Sequence, residues 1–288
     1  LAKGPLAGAY QAGVLLDARP ADTVKEMQRM AERLRRLLRD YGRRFVLLKG
    51  GRTRQGRRAA ASHTGALAGS DEAWQALGRQ PGMPVVDNLD SFLDALLAFQ
   101  CMTLRPVASR KVVLFGNGGG TSVLGTDAFD RCGFAVPALD APTVARLEAL
   151  ELPAGSTVAN PIDVPAGAMR QDEGRVAEQI IEVVASQGQA DALVIHVNMT
   201  VILSFRHVDM VGNIVGAALK MRDRAAKTIH VALVLRSDGE REIEERKREY
   251  RRAAVDRGIA VFDELPAAAQ ALACVRAVEG VRERRAAD

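Results

Sequence analysis

The stretch "VVLFGNGGGTSVLGTDAF" (residues 112–129) decides the fold prediction, because a strand, a tight turn and a helix follow one another in it directly. Four large apolar residues predict a buried strand, and the four glycines of "GNGGG" predict the turn. Without β-carbons the backbone can approach an anion closely, and the first N–H groups of the following helix point at it. Thr121 and Ser122 add hydroxyl donors. The stretch therefore predicts an α/β protein with a candidate anion site formed by Asn117, Gly118, Gly119, Gly120 and Thr121.

This turn fits neither common nucleotide motif. A P-loop would end in Gly-Lys-Ser/Thr, and a dinucleotide fingerprint would have its third glycine where Thr121 stands. Asp140 lies about 20 residues beyond the turn, where a ribose-binding acid is expected. A Rossmann-type NAD-binding oxidoreductase therefore stays open as an alternative, as does a turn that binds nothing.

On both sides of this stretch, short apolar runs alternate with amphipathic segments. The apolar runs predict further strands at residues 13–17, 44–50, 84–87, 134–139, 192–198, 229–236 and 259–262. The amphipathic segments predict helices at residues 23–41, 71–78, 89–102, 123–132, 143–150, 176–186, 210–221 and 241–257, and from residue 265 onward. Such alternation predicts parallel sheets covered by helices on both faces. A break at residues 104–110 divides the pattern into two units.

Composition restricts the class of protein. Of the 288 residues, 48 % are hydrophobic and 26 % charged, which is typical of a soluble globular protein. No apolar run approaches the roughly 20 residues that span a bilayer, and no signal peptide is recognisable, so no membrane role is expected. Three widely spaced cysteines predict neither disulfides nor a metal site, and a cytoplasmic location is the default expectation. The net charge of +5 comes from arginines interleaved with acids, so nucleic acid is not an expected partner.

A second candidate site is the stretch of small residues that contains His63. Ser62, His63, Thr64 and Gly65 follow a predicted strand and a basic segment, and the composition predicts a loop. Neutral imidazole is a nucleophile near pH 7, so a histidine held beside phosphate-binding N–H groups can accept a phosphoryl group. An ordinary surface or capping histidine is the alternative.

Three motifs, in order along the chain, carry a family resemblance. They are "LLKGGRTRQGRRAAASHTGALAGSDEAW" (residues 47–74), "GNGGGTSVLGTDAF" (116–129) and "ANPIDV" (159–164). Together they resemble the NDP-forming acyl-CoA synthetases, the ADP-forming acetyl-CoA synthetase branch of the succinyl-CoA ligase superfamily. The resemblance implies two flavodoxin-like domains, each a three-layer αβα arrangement with a mostly parallel sheet, at residues 1–105 and 106–288.

The resemblance also implies a mechanism and assigns residues to it. Family members interconvert acyl-CoA, phosphate and a nucleoside diphosphate with a carboxylic acid, CoA and a nucleoside triphosphate, through an acyl phosphate and a phosphohistidine. His63 would be the phosphorylated residue, and Asp17 would orient it, although Asp17 also fits an ordinary strand-end acid. The implied phosphate- and cofactor-binding residues are Ser62, Thr64, Gly65, Asn117, Gly118, Gly119, Gly120, Thr121 and Asn160. For Asn160 and its neighbour Asp163, a structural role in the turn is equally open.

The family's other parts have no recognisable counterpart in this sequence. These parts are a CoA-binding domain, the start of the first flavodoxin-like domain and an ATP-grasp domain that binds ATP or ADP with Mg²⁺. The resemblance therefore implies an incomplete ligase whose partners supply CoA and nucleotide binding, within a homo- or hetero-oligomer. A non-catalytic module that senses acyl-CoA or nucleotide is the alternative.

Overall fold

The computed structural model describes residues 44–64, 71–79, 82–186, 190–205, 207–225 and 229–287, together with residues 29, 32, 33 and 36, which are helical. The predicted strand at residues 13–17 lies outside the described residues, as do Asp17 and Gly65. Within the described part, no helix is both long and apolar enough to cross a membrane.

The chain forms two compact units. Unit 1 comprises Leu1–Phe99, Pro106–Ala108 and Ala271–Asp288, and unit 2 comprises Gln100–Arg105 and Ser109–Gln270. Both units are α/β, and every strand pair in them is parallel, which confirms the predicted fold class.

Unit 1 contains a small parallel sheet and the helices around it. Its elements are β1 (Leu47–Leu48), α1 (Arg54–Thr64), α2 (Asp71–Arg79), β2 (Val85–Val86), most of α3 (Leu89–Cys101) and the C-terminal part of α12 (Leu265–Ala287). Helix α3 begins where the Asn88 side chain accepts a hydrogen bond from the N–H of Ser91 (2.8 Å). Its buried residues Phe92, Ala95, Ala98 and Phe99 build the core of this unit.

The predicted loop at His63 is wrong, because residues 54–64 form helix α1. Thr53 caps the start of the helix. Its side-chain oxygen accepts a hydrogen bond from the N–H of Gly56 (3.0 Å), and its carbonyl oxygen accepts one from the N–H of Arg57 (2.9 Å). The three alanines at residues 59–61 have the highest helix propensity of any residue. Capping and propensity thus extend the helix through His63, which lies in its last turn.

Unit 2 contains a five-stranded parallel sheet. Its strands are β3 (Val112–Gly116), β4 (Ile162–Asp163), β5 (Ala192–Asn198), β6 (His230–Arg236) and β7 (Ala260–Phe262), arranged in the order β4-β3-β5-β6-β7. Its helices are α4 (Gly119–Arg131), α5 (Ala141–Glu148), α6 (Ala166–Met169), α7 (Gln171–Gly174), α8 (Val176–Ser186), α9 (Met199–Leu203), α10 (Met210–Ala225), α11 (Arg241–Val255) and the start of α12. Counted within this unit, the strand order is that of flavodoxin and not that of a Rossmann dinucleotide-binding fold. This order argues against the NAD-binding alternative.

The sheet of unit 2 is buried on both faces. All five residues of β3 are buried, as are six of the seven residues in each of β5 and β6. Alternate residues of the strands belong to one large hydrophobic cluster with α8 and α10. On the other face, the side chains of Leu114 and Leu265 pack against the backbone of α4 at Gly125, which has no side chain to exclude them. Continuous apolar strands are therefore explained by two covered faces.

Two predictions for this unit differ from the structure. Residues 134–139 are not a strand, since only Ala135 makes an isolated bridge, with Lys111, and Pro137 has no N–H for a ladder. Strand β4 lies in a segment for which the sequence predicted neither a strand nor a helix. It has only two residues and follows Pro161, so no periodic pattern marks it.

Candidate active site

The glycine turn between β3 and α4 depends on its glycines. Gly118 is the N-cap of α4 with φ 147° and ψ 94°, a conformation that side chains with a β-carbon rarely adopt. A β-carbon on Gly116 would overlap the carbonyl oxygen of His196 and lie 2.5 Å from its ring carbons. The turn is therefore closely packed beneath, whereas Gly119 and Gly120 are exposed above.

Side chains from both neighbouring strands hold this turn. The N–H of Gly118 donates to Oδ1 of Asp163 at the end of β4 (2.6 Å). On the other side, the N–H of Asn198 at the end of β5 donates to Oδ1 of Asn117 (2.8 Å). The turn lies at the carboxyl edge of the sheet, beside the point between β3 and β5 where the strand order reverses. Open α/β sheets bind ligands in the crevice at such a switch point.

The first turn of α4 provides the chemistry for anion binding. The N–H groups of Gly119, Gly120 and Thr121 precede any intrahelical acceptor, and the helix dipole adds partial positive charge there. The Asp163 carboxylate already takes the N–H of Gly118. The three following N–H groups therefore suit a small anion such as phosphate or a carboxylate.

A buried histidine lies beneath the turn. His196 Nε2 is 3.0 Å from Oγ of Ser122, and both side chains are almost fully buried. Burial lowers the pKa of His196 to about 4, and the nearby Asp163 carboxylate only partly opposes this. His196 lies in the strand that the sequence predicts at residues 192–198. Its contact with Ser122 follows from the register of β3 with β5, which pairs Gly116 with His196.

Asn160, one of the predicted binding residues, makes its side-chain contacts with the backbone. Its Nδ2 donates to the carbonyls of Val112 (2.9 Å) and Pro137 (2.9 Å), and its Oδ1 accepts from the N–H of Leu114 (3.0 Å). The sequence left a binding role and a structural role open for Asn160, and these contacts favour the structural role.

The predicted histidine site belongs to unit 1. Ser62, His63 and Thr64 lie in the last turn of α1, and Ser62 is exposed, with its hydroxyl donating to the carbonyl of Ala59 (2.7 Å). The side chains of His63 and Thr64 lie outside the described part of the structure. In the part that is described, no cluster of three His, Cys, Asp or Glu side chains could hold a metal ion.

Comparison with known proteins finds similar proteins for the first part of the chain. Residues 20–99 match the model of the succinyl-CoA ligase like flavodoxin domain. The chain is 35 % identical over 137 residues to the "Acetate--CoA ligase [ADP-forming] II subunit alpha" of Pyrococcus furiosus. These aligned residues cover 48 % of this chain and 29 % of that relative. It is 33 % identical over 120 residues to the "4-hydroxybutyrate--CoA ligase [ADP-forming]" of Nitrosopumilus maritimus, covering 41 % of this chain and 16 % of the relative. The chain thus spans less than a third of the length of these curated relatives.

A solved structure extends the fold comparison to most of the chain. The dinucleotide forming acetyl-coenzyme A synthetase 1 of Candidatus Korarchaeum cryptofilum, in complex with phosphate and ADP, matches with a TM-score of 0.71. The match covers 93 % of this chain and 54 % of that one at 18 % identity, so it concerns the fold alone. The family model over residues 20–99 and the curated relatives confirm the resemblance to NDP-forming acyl-CoA synthetases, and the solved structure confirms the fold.

Proposed function

We propose that this chain is part of an NDP-forming acyl-CoA synthetase. Phosphate attacks the thioester carbonyl of acyl-CoA, the carbon–sulfur bond breaks, and CoA leaves as the acyl phosphate forms. A ring nitrogen of His63 then attacks the phosphorus and releases the carboxylic acid. The resulting phosphohistidine gives its phosphoryl group to a nucleoside diphosphate. Each step is reversible.

The match of residues 20–99 to the ligase domain carries this proposal, because the matched segment contains His63 and its neighbours Ser62 and Thr64. The chemistry agrees with it, since imidazole is both a nucleophile and a leaving group near neutral pH. Asp17, at the end of a predicted strand, is the residue we assign to orient the imidazole of His63.

The glycine turn of unit 2 supports the same proposal. A phosphoryl group in transfer carries charge on its non-bridging oxygens, and preorganised N–H donors stabilise such charge. Gly119, Gly120 and Thr121 supply three such donors without a side chain above Gly120. We assign this turn to hold the phosphate of the acyl phosphate or of the phosphohistidine.

Nucleotide, Mg²⁺ and CoA binding belong, in this proposal, to an ATP-grasp partner and a CoA-binding domain. The residues of this chain fit the phosphate, since the glycine turn offers donors for an anion. The described residues include no cluster suited to a metal ion. The nucleotide supplies the phosphoryl acceptor, and the chain's own residues hold and carry the phosphoryl group.

The experiment that tests the proposal labels the complete protein. Incubation with ATP and Mg²⁺, or with acyl-CoA and phosphate, should place an acid-labile phosphate on His63, detectable by mass spectrometry. We expect His63→Ala to abolish the label and to lower turnover by roughly a thousandfold or more, as removal of a nucleophile does. His207→Ala, which changes an exposed histidine of unit 2, is the control and should leave both unchanged. An unlabelled His63, or full turnover in His63→Ala, would contradict the proposal.

One observation favours a second candidate, a module that senses acyl-CoA or nucleotide without catalysis. The Asp163 carboxylate occupies the N–H of Gly118 and places negative charge beside the turn. This charge weakens the binding of a dianionic phosphate at the turn, which phosphoryl transfer requires and a sensing module that holds its ligand elsewhere does not. Calorimetry that finds acyl-CoA or nucleotide binding without turnover in the complete protein would favour this second function.

A further inference from the structure

Ser122 is the residue by which the first turn of α4 is attached to the sheet. Its N–H donates to the carbonyl of Gly118 (3.0 Å), which closes the first helical turn. Its carbonyl accepts from Oγ1 of Thr126 (3.0 Å), and its own hydroxyl contacts His196 Nε2 (3.0 Å). All three polar groups of Ser122 are therefore engaged, and only the contact with His196 reaches another element.

His196 also fixes the turn from below by its shape. The imidazole packs against Gly116, where its ring carbons leave no room for a β-carbon. His196 thus contacts both ends of the segment that connects β3 to α4. An apolar side chain of similar size would fill the same volume but would leave the buried Ser122 hydroxyl without this partner, which costs free energy.

A neutral imidazole makes the hydrogen bond between His196 and Ser122 either by accepting at Nε2 or by donating from it, depending on the tautomer. Burial depresses the pKa of His196 to about 4, so the ring is uncharged near neutral pH. Asp163 of β4, on the far side of β3, is the charged group that acts on the ring. Because the ring is neutral, an anion is attracted by the N-terminal end of α4 and not by the histidine. His196 therefore affects the turn only by holding the position of its backbone.

We propose that His196 is a positioning residue for phosphate binding. Through its hydrogen bond to Ser122 it fixes the first turn of α4, so that the N–H groups of Gly119 and Gly120 keep one orientation toward the anion. This role rests on the proposed function, which assigns the glycine turn to the phosphate. The histidine itself lies beneath the backbone and does not contact the phosphate.

The test measures phosphate affinity at the turn itself. Inorganic phosphate is titrated into the full chain, and the NMR shifts of the Gly119 and Gly120 amides give the dissociation constant. His196→Leu keeps the apolar volume and removes the hydrogen bond, and we expect affinity to fall roughly threefold to tenfold. His196→Gln retains a donor and acceptor at a similar reach, so it should restore most of the affinity.

Two further variants separate positioning from stability. Ser122→Ala removes the same hydrogen bond from the helix side, with little change in volume, and should weaken phosphate binding as His196→Leu does. If His196→Leu does not fold, the affinity of Ser122→Ala for phosphate provides the test instead. His230→Leu is the matched control, because His230 is a buried histidine at the amino end of the neighbouring strand β6. It should lower the melting temperature and leave phosphate affinity unchanged.

The outcomes distinguish the two proposals. Saturable shifts in the wild type with equal affinity in His196→Leu and Ser122→Ala would overturn the positioning role and leave the proposed function intact. Equal weakening by His230→Leu would overturn it as well, because a general loss of stability would then explain the effect. Absence of any shift at Gly119 and Gly120 in the wild type would contradict the phosphate assignment and the positioning role together.

Discussion

Asn160 shows how one side chain supports the strand that leads into the glycine turn through contacts with the backbone. Its amide spans two carbonyls and one N–H of the chain around β3, the strand that leads into the glycine turn. We expect Asn160→Ala to leave these backbone groups without a partner and to lower the free energy of unfolding by about 2–4 kcal/mol. Urea denaturation at pH 7 measures this difference.

The control for Asn160→Ala is Gln179→Ala in the same unit. Gln179 makes an exposed hydrogen bond to Asp172 (3.2 Å), so its loss should change the free energy of unfolding by no more than about 0.5 kcal/mol. Equal effects of the two substitutions would show that the Asn160 contacts add nothing to stability. The structural role assigned to Asn160 would then be wrong.

At the scale of elements, Asp191 joins the amino ends of β3 and β5. Its carboxylate accepts from the N–H groups of Arg110 (2.7 Å) and Lys111 (2.8 Å) and pairs with the guanidinium of Arg105 (2.7 Å). Burial alone would raise the pKa of Asp191, but these hydrogen bonds and the Arg105 charge outweigh it, so the pKa is lowered. The carboxylate therefore stabilises the fold in its ionised form.

The sign of the pH dependence follows from this lowered pKa. Asp191 contributes stability above its unfolded pKa of about 3.9, and the contribution is lost as the pH falls through the lower folded value. We expect Asp191→Asn to cost about 1–2 kcal/mol at pH 7, with a difference from wild type that shrinks below pH 4. Urea denaturation over this pH range measures it, with Asp223→Asn as the exposed control. A difference that stays constant with pH would contradict the assignment.

The elements also show which parts of the fold the sequence could predict. The long strands β3, β5 and β6 were predicted because continuous apolar runs are typical of strands buried on both faces. Strand β4 was missed because two residues carry no periodicity. The segment around His63 was predicted as a loop from its small and polar composition, although the Thr53 cap and the alanines at residues 59–61 favour the helix that forms at residues 54–64.

For the candidate site, the sequence predicted the local parts and missed the contacts between strands. The glycine turn was predicted because its chemistry is local: a strand, four glycines and a helix follow one another. Its contacts with Asn198 and the link from Ser122 to His196 join residues more than 70 positions apart. Such contacts depend on β5 lying beside β3, and no local pattern indicates which strands are neighbours.

At the scale of the whole molecule, unit 2 has the properties of an independently folding domain. Its hydrophobic cluster runs from Val113 to Val261 and includes residues of all five strands, so one face of the sheet has its core within this unit. A compact unit with its own core can fold alone. We therefore expect a fragment of residues 100–270 to give dispersed NMR spectra and one cooperative unfolding transition.

A shorter fragment ending at residue 225, which lacks β6 and β7, is the control for this prediction. It should not fold, because β5 would lose the neighbour with which it pairs over seven residues. A molten or unfolded 100–270 fragment would show that the fold of this unit depends on the rest of the chain.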